Sequence, residues 1–494
     1  MSDLGNLVKH SSHYFGGQVL LLFASFISFP LYTRLLSVSE YGLLTLVTTS
    51  ILITTSFSKL GLQNSIIRFY PDFQSKVKGG SASIFYSTYV LSIFFCGTFF
   101  SIVFLLTVKL LSENLIGASE AGIFSLASIL ILIYCGLQTY AQFFRAEQRP
   151  IKNVIINLLM RYGNIGFGLL FYLYIEQNLF GFFLGVILWE GALFILTSFN
   201  IFRSRKISFG LFSLPLFKDA LRYGFPLLGI ELSYLVLQFG DQYIIRSYLG
   251  PIALGIYSAG YSIACMAGEL LIFPVRNALM PIYMDIYSRK GFEETKLFLS
   301  ITFKYFLLVA VPIIFGVIAL APELTRVLAS EKYAQSCEVI PFVLVGVVIY
   351  GSSHFFDAWL LLKKKTNKLV FILGAACFLN IVLNIILIPQ FNIKGAAIST
   401  LVAFSLYTVL IVLFSYKKLM FHVDIFLFLR NIMFAYIMYV VITKISLENV
   451  FASLGLKIVI GIILYIALIM IFERDLRYEI VRNINSYIKN LKGR

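Results

Sequence analysis

Charge is what this sequence most conspicuously lacks. Asp, Glu, Lys and Arg make up 13% of its 494 residues, while 59% are hydrophobic. A soluble domain is about a quarter charged, and one of this length needs a polar skin that these residues cannot supply. That excludes a water-soluble enzyme or binding module and leaves a polytopic membrane protein. Cysteine is scarce as well. There are five, and Cys96, Cys135, Cys265 and Cys377 lie inside apolar stretches, with neither disulfide-framework nor zinc-ligand spacing. They read as small buried hydrophobes. Long loops are missing too: the longest, near 203–220, spans about 18 residues, far below the size of a folded domain. The loops carry no Ser/His/Asp set, no paired-acid site and no phosphate loop, so no catalysis, cofactor or metal is expected. His354 and Asp357 are three apart, which is too little for a metal centre. No A-x-A-like cleavage site follows the first apolar run, which is therefore expected to be retained as a span.

What the sequence does have is apolar length. A helix needs about 20 mostly apolar residues to cross a bilayer, and fourteen windows qualify, beginning with 11–36 and 42–66 and ending with 423–445 and 451–472. The net charge of +16 does not indicate nucleic acid, because no aromatic-interleaved basic domain exists. Its distribution indicates topology instead. With the N-terminus assigned to the cytoplasm, 28 of the 40 Lys and Arg fall in cytoplasmic segments and 8 in external ones. The remaining four, Lys59, Arg161, Lys304 and Arg430, lie inside spans. By the positive-inside rule both ends of the chain are expected in the cytoplasm.

The first twelve spans carry a repeat. "RLLSVSEYGLL" joins spans one and two as "RSYLGPIALGIY" joins spans seven and eight, which pairs Gly42 with Gly255 at an offset of 213. Asn153 pairs with Asn367, and Gly181 with Gly395, both at 214. Six spans per unit is an even number, so the units enter from the same side and the repeat is parallel. The expected fold class is therefore all-α and polytopic, with about fourteen transmembrane helices. The expected divisions are an N-terminal six-helix lobe (1–206), a second lobe (207–420), two added helices (421–472) and a basic cytoplasmic tail (473–494).

Charge inside a span costs roughly 2.5–3.5 kcal/mol at mid-bilayer on insertion scales, so such residues are expected to face a cavity or a partner. Asn153, Asn157, Arg161 and Asn164 step by 4, 4 and 3 along one face of span five. Lys59 shares one side of span two with Thr48, Thr55 and Gln63. At about 1.5 Å per residue, Lys59, Arg161 and Lys304 lie some 10–12 Å inside the cytoplasmic end. Within "GIELSYLVLQFGDQYIIRSYLG", Glu231, Tyr234, Gln238 and Asp241 share a face. The first lobe thus holds Lys59, Arg161 and Glu190, and the second holds Glu231, Asp241, Glu269 and Asp357 against Lys304. Lys59, Arg161, Asn157, Asn164 and Lys304 are candidates for binding an anionic head group. Glu231, Asp241, Glu269 and Asp357 are candidates for carrying protons or sodium. The plainer alternatives are snorkelling lysines, helix-packing Asn and Thr, and an Asp241–Arg246 pair.

Four segments carry a family likeness: "PLYTRLLSVSEYGLLTL" (30–46), "GLQNSIIRFYPDF" (61–73), "DQYIIRSYLGPIALGIYSAGYSIA" (241–264) and "NIVLNIILIPQFNIKGAAISTLVAF" (380–404). Through them the chain, over about 1–472, resembles the polysaccharide-transporter branch of the MOP exporter superfamily, which includes the Wzx-type O-antigen and capsule flippases. The family commonly has arginine after the aspartate of the seventh-span motif; here that position is Gln242. The resemblance implies a V-shaped, MATE-like pair of six-helix lobes around a largely cationic cavity. It further implies alternating-access movement of an undecaprenyl-pyrophosphate-linked oligosaccharide across the bacterial cytoplasmic membrane, often ion-coupled. The expected partners are that glycan, membrane lipid, and the polymerase and glycosyltransferases of its pathway. A MATE-like exporter of small organic cations is the nearest alternative, and a membrane glycan polymerase or transferase is a more distant one.

Overall fold

The structure is a computed structural model that describes residues 2–74, 82–111, 118–363, 365–416, 424–473 and 477, with side chains described from residue 16 onward except at 74, 111, 118, 119, 366 and 416. Every regular element among them is helical, as it must be where the bilayer offers backbone groups no water. Twelve helices are long and apolar enough to cross a membrane. Two are double-length. α8 (Leu214–Lys290) breaks at Gly250, whose φ is 84°, and α12 (Thr366–Tyr416) breaks at Asn392, with φ 52°. Counting their arms separately gives the fourteen passes expected, and this is a multi-pass membrane protein. The tail expected over 473–494 lies outside the described residues apart from Glu473 and Arg477.

The helices fall into two compact units, 1–255 and 256–494. Unit 1 contains α1 (Ser2–Leu35), α2 (Val38–Ser58), the short α3 (Leu62–Gln74), α4 (Ala82–Leu111), α5 (Ala118–Ala146), α6 (Pro150–Tyr174), α7 (Leu179–Arg205) and the first arm of α8, 214–249. Helix ends follow the local sequence. Ser37 and Glu40 form a reciprocal capping box at the start of α2. Asn178 accepts from Gly181 N at 3.0 Å and so caps α7.

The repeat has structural counterparts. Asn392, where α12 breaks, lies 214 positions after the Asn178 cap. A Cβ on Gly181 would strike the Glu176 carbonyl, and one on Gly395 the Leu387 carbonyl. Each unit therefore uses an Asn and a Gly three residues later to bring a helix start against the helix before it.

One expected span is interrupted. The apolar window 42–66 suggested a single helix, but α2 ends at Ser58, and Leu60 and Gly61 have φ of 48° and 76°. Gly61 supplies the left-handed backbone at low cost, and the turn lets it touch Gly224 of α8.

Unit 2 contains the second arm of α8, α9 (Phe292–Leu324), α10 (Ile340–Phe356) with its continuation α11 (Ala358–Leu362), α12, α13 (Ile425–Thr443) and α14 (Val450–Phe472). The added pair α13–α14 packs on α9 through Ala319, Phe434, Met438, Ile442 and Tyr465. The polar contacts there have a definite cause. Pro312 of α9 has no N–H to give the carbonyl four residues back, at Leu308. Tyr465 Oη reaches that carbonyl at 2.7 Å and also contacts Asn431 Oδ1, while Asn431 Nδ2 donates to the neighbouring Leu307 carbonyl at 3.0 Å. Lys457 of α14 is buried and paired with Glu323 of α9. Lys457 falls within the last apolar window expected from sequence, 451–472. The structure places it about two turns into α14, and its ammonium is neutralised there.

Candidate functional site

In unit 1, α2 and the first arm of α8 run antiparallel in close contact. At one end, just past the break at Gly250, a Cβ on Gly42 would lie 2.8 Å from the Gly255 nitrogen. These are the two glycines matched by the repeat offset. At the other end, Gly61 and Gly224 meet backbone to backbone, and a Cβ on Gly224 would lie 2.6 Å from the Gly61 carbonyl carbon. Small residues at both ends allow this approach. A row of polar contacts fills the seam between them. Thr49 donates to Gln242 Oε1 at 2.9 Å, and Ser50 and Tyr243 hydroxyls lie 2.7 Å apart. Further along, Lys59 Nζ is 3.8 Å from Glu231 Oε1, and Gln63 Nε2 donates to Glu231 Oε2 at 2.7 Å. Lys59 also donates to Gln138 Oε1 of α5 at 2.8 Å.

The seam changes how the intramembrane charges are grouped. The sequence suggested cations in the first lobe and carboxylates in the second. Because the first arm of α8 packs along α2, Glu231 and Asp241 belong by contact to unit 1, with Lys59, Arg161 and Glu190. Lys59, expected to bind an anion, and Glu231, expected to carry a cation, are partners. The side chain of Lys59 is 7% exposed and that of Glu231 30%, so the carboxylate is the accessible member. Asp241 is buried. Arg246 makes a bidentate contact with Glu120 of α5 at 2.8 and 2.9 Å.

The Asn-lined face of α6 divides into two parts. Asn153 donates to the Ala141 carbonyl at 2.8 Å, and Asn157 to the Asn153 carbonyl at 2.7 Å, so both serve local structure. Arg161 is exposed and donates to Ser25 Oγ of α1 at 3.1 Å. Asn164 donates to Tyr134 Oη of α5 at 2.8 Å. Glu190 of α7, wholly buried, lies beside both, without ordinary hydrogen-bond geometry to its carboxylate oxygens.

Tyr134 and Gln138 are one turn apart on the same face of α5. That face therefore joins the Lys59–Glu231 pair to the Arg161–Asn164 group. Sequence reasoning missed both residues, although Tyr134, Gln138 and Gln142 form a polar stripe at helical spacing in an apolar span. It also missed the seryl partners on α1.

Three candidates lie in unit 2. Lys304 lines a small cavity of about 110 Å³ with Asp424 and Asn431, against α13. Glu269 is held by Arg276 at 3.0 and 3.1 Å. Asp357 pairs with His354 at 3.5 Å. Among the described residues, no three His, Cys, Asp or Glu side chains converge as metal ligands.

Comparison with known proteins gives this arrangement a context. A family model described as "Polysaccharide biosynthesis protein" matches residues 7–287, and one described as "MatE" matches 226–386. No curated protein matches the sequence. Among solved structures, the lipid II flippase MurJ in an inward closed conformation is similar at a TM-score of 0.72 and 17% identity, over 94% of this chain and 99% of that one. An inward-facing multidrug resistance MATE transporter of the MOP superfamily gives a TM-score of 0.63 and 14% identity, over 83% of this chain and 94% of its own. A MOP superfamily transporter from Pyrococcus furiosus, described as having a binding pocket of reverse polarity, gives 0.55 and 16%, over 84% and 94%. At these identities the likeness is one of fold.

Proposed function

The chain belongs to the polysaccharide biosynthesis protein family, and on that premise we propose that it is a flippase for a polyprenyl-pyrophosphate-linked oligosaccharide. In this proposal it is a transporter rather than an enzyme. It lies in the bacterial cytoplasmic membrane with both chain ends in the cytoplasm, and works by alternating access coupled to protons or sodium. The two six-helix lobes are 1–206 and 207–420. The polymerase and glycosyltransferases of the glycan's pathway are its working partners.

The observation that carries the proposal is the Lys59–Glu231 pair. Removing either member leaves the other's charge inside the membrane, which is costly. A diphosphate arriving at Lys59 would take over the role of Glu231, and the released carboxylate would then bind a proton or sodium ion. Substrate and ion thus exchange at one lysine, which matches one of the two negative charges of the diphosphate. Arg161, exposed and held by Ser25 rather than by a carboxylate, offers a second cation to the diphosphate. Lys304 extends head-group binding in the second lobe, and Asp241, Glu269 and Asp357 are secondary ion carriers.

The test is transport of a prenyl-diphosphate sugar by the full chain in proteoliposomes. Arg161→Ala should lower the rate on the order of ten-fold with normal protein levels, and Lys59→Ala should do the same when the rate is taken per molecule of protein in the membrane. Glu231→Gln should weaken dependence on the ion gradient. Normal transport by Lys59→Ala would reject the exchange. The match to the MatE model over 226–386 favours a second reading, an exporter of small organic cations. Tight binding of such cations without binding of prenyl diphosphate would establish it. Growth of the glycan on its lipid carrier would point instead to a polymerase.

A further inference from the structure

A cavity of about 600 Å³ opens at the end of unit 1 where α5 and α7 finish and α6 begins. It is separate from the seam between α2 and α8. Three cations line it: Arg149, Lys152 and Arg205. The single acid in its wall, Glu147, has a side chain only 4% exposed and is already held by neighbours. It accepts from Tyr86 Oη at 2.5 Å, pairs with Arg205, and lies 3.4 Å from Arg149. Arg205 is fixed from its other side by the Tyr86 ring, with the guanidinium carbon 4.8 Å from the centroid. The site therefore holds a net charge of about +2, with one arginine preset and Lys152 exposed.

Below the cations the α6 side of the wall is apolar, while α7 contributes Thr197 and Asn200 before Leu193. Ile155 and Leu159 follow Lys152 at i+3 and i+7 on α6, and both are exposed at the cavity. At about 1.5 Å per residue, Leu159 lies some 10 Å deeper than Lys152. Leu193 lies below Arg205 on α7 in the same sense. Cations at the rim and hydrocarbon beneath reproduce the profile of one lipid leaflet, with phosphate at the interface and chains toward the midplane.

We propose that this cavity binds an anionic phospholipid of the surrounding leaflet, its phosphate between Arg149, Lys152 and Arg205 and an acyl chain along Ile155 and Leu159. A free anion would not use the apolar wall, and a zwitterionic lipid would gain little from two surplus positive charges.

The full chain in phosphatidylcholine nanodiscs, titrated with fluorescent phosphatidylglycerol, provides the test. Wild type should bind it saturably and in preference to labelled phosphatidylcholine. Lys152→Gln, an exposed change that spares the fold, should weaken binding on the order of five-fold. Arg149→Gln with Lys152→Gln should weaken it further, and raised salt should reduce the difference between wild type and variants. Equal binding of both lipids, or unchanged binding by the double variant, overturns the proposal. Displacement by millimolar inorganic phosphate would make it a free-anion site. Displacement by undecaprenyl diphosphate at concentrations well below those of phosphatidylglycerol would make it a substrate entry point. Both of those results also overturn it, and neither bears on transport through the Lys59–Glu231 seam.

Discussion

Lys457 shows how a single charge is kept in an apolar helix. It is 5% exposed and joined to Glu323. Changing it to Met should cost roughly 3–5 kcal/mol, because the carboxylate stays buried without its partner. Thermal unfolding in detergent would measure this. Adding Glu323→Leu should recover most of the loss, and failure to recover would mean that packing rather than charge dominates. Tyr465 acts through its hydroxyl. Tyr465→Phe keeps the ring but leaves the Leu308 carbonyl without a donor, at about 1–3 kcal/mol. A midpoint equal to wild type would show that the carbonyl does not need that proton. Neither pair is visible in sequence. Lys457 sits near a span end, where charges pass for loop residues, and 134 positions separate it from Glu323. Lys59 and Arg161 could be read as functional candidates because each lies well inside an apolar run; that Glu231 answers Lys59 could not.

The passes themselves were legible, since only a helix satisfies its own backbone over twenty apolar residues. The repeat was legible through glycine and asparagine landmarks, whose roles are steric and local. The break after Ser58 was not, because the polar residues Lys59, Gln63 and Asn64 read as a stripe on a continuing helix and only Gly61 marks the turn. That turn is testable. Gly61→Ala adds a side chain at φ 76° and drives a methyl into the Gly224 carbonyl. It should destabilise unit 1 by about 1–3 kcal/mol and lower transport, whereas Gly166→Ala, with nothing within 4 Å, should change neither. Gly42→Leu should act similarly at the opposite end of the seam, since it faces backbone atoms that cannot swing aside. Crosslinking of paired cysteines across α2 and α8 would report whether the helices had separated.

Across the whole molecule, the fold class and family emerged from sequence more readily than the site. Hydrophobic length and duplication are properties of long stretches, while the site depends on which few side chains meet. The added helices α13 and α14 fall outside the duplication, and their attachment has a further consequence. Pro312 opens a fault in the backbone ladder of α9, and Tyr465 mends it from 153 residues downstream. A chain cut short near residue 420 would still possess twelve passes and both halves of the repeat. Yet it would bare a carbonyl and an unmatched Glu323 to hydrocarbon. Such a fragment should be cleared by membrane proteases rather than persist as a smaller transporter, and pulse-chase decay faster than full length would reveal it. The last two passes thus act as a splint on α9.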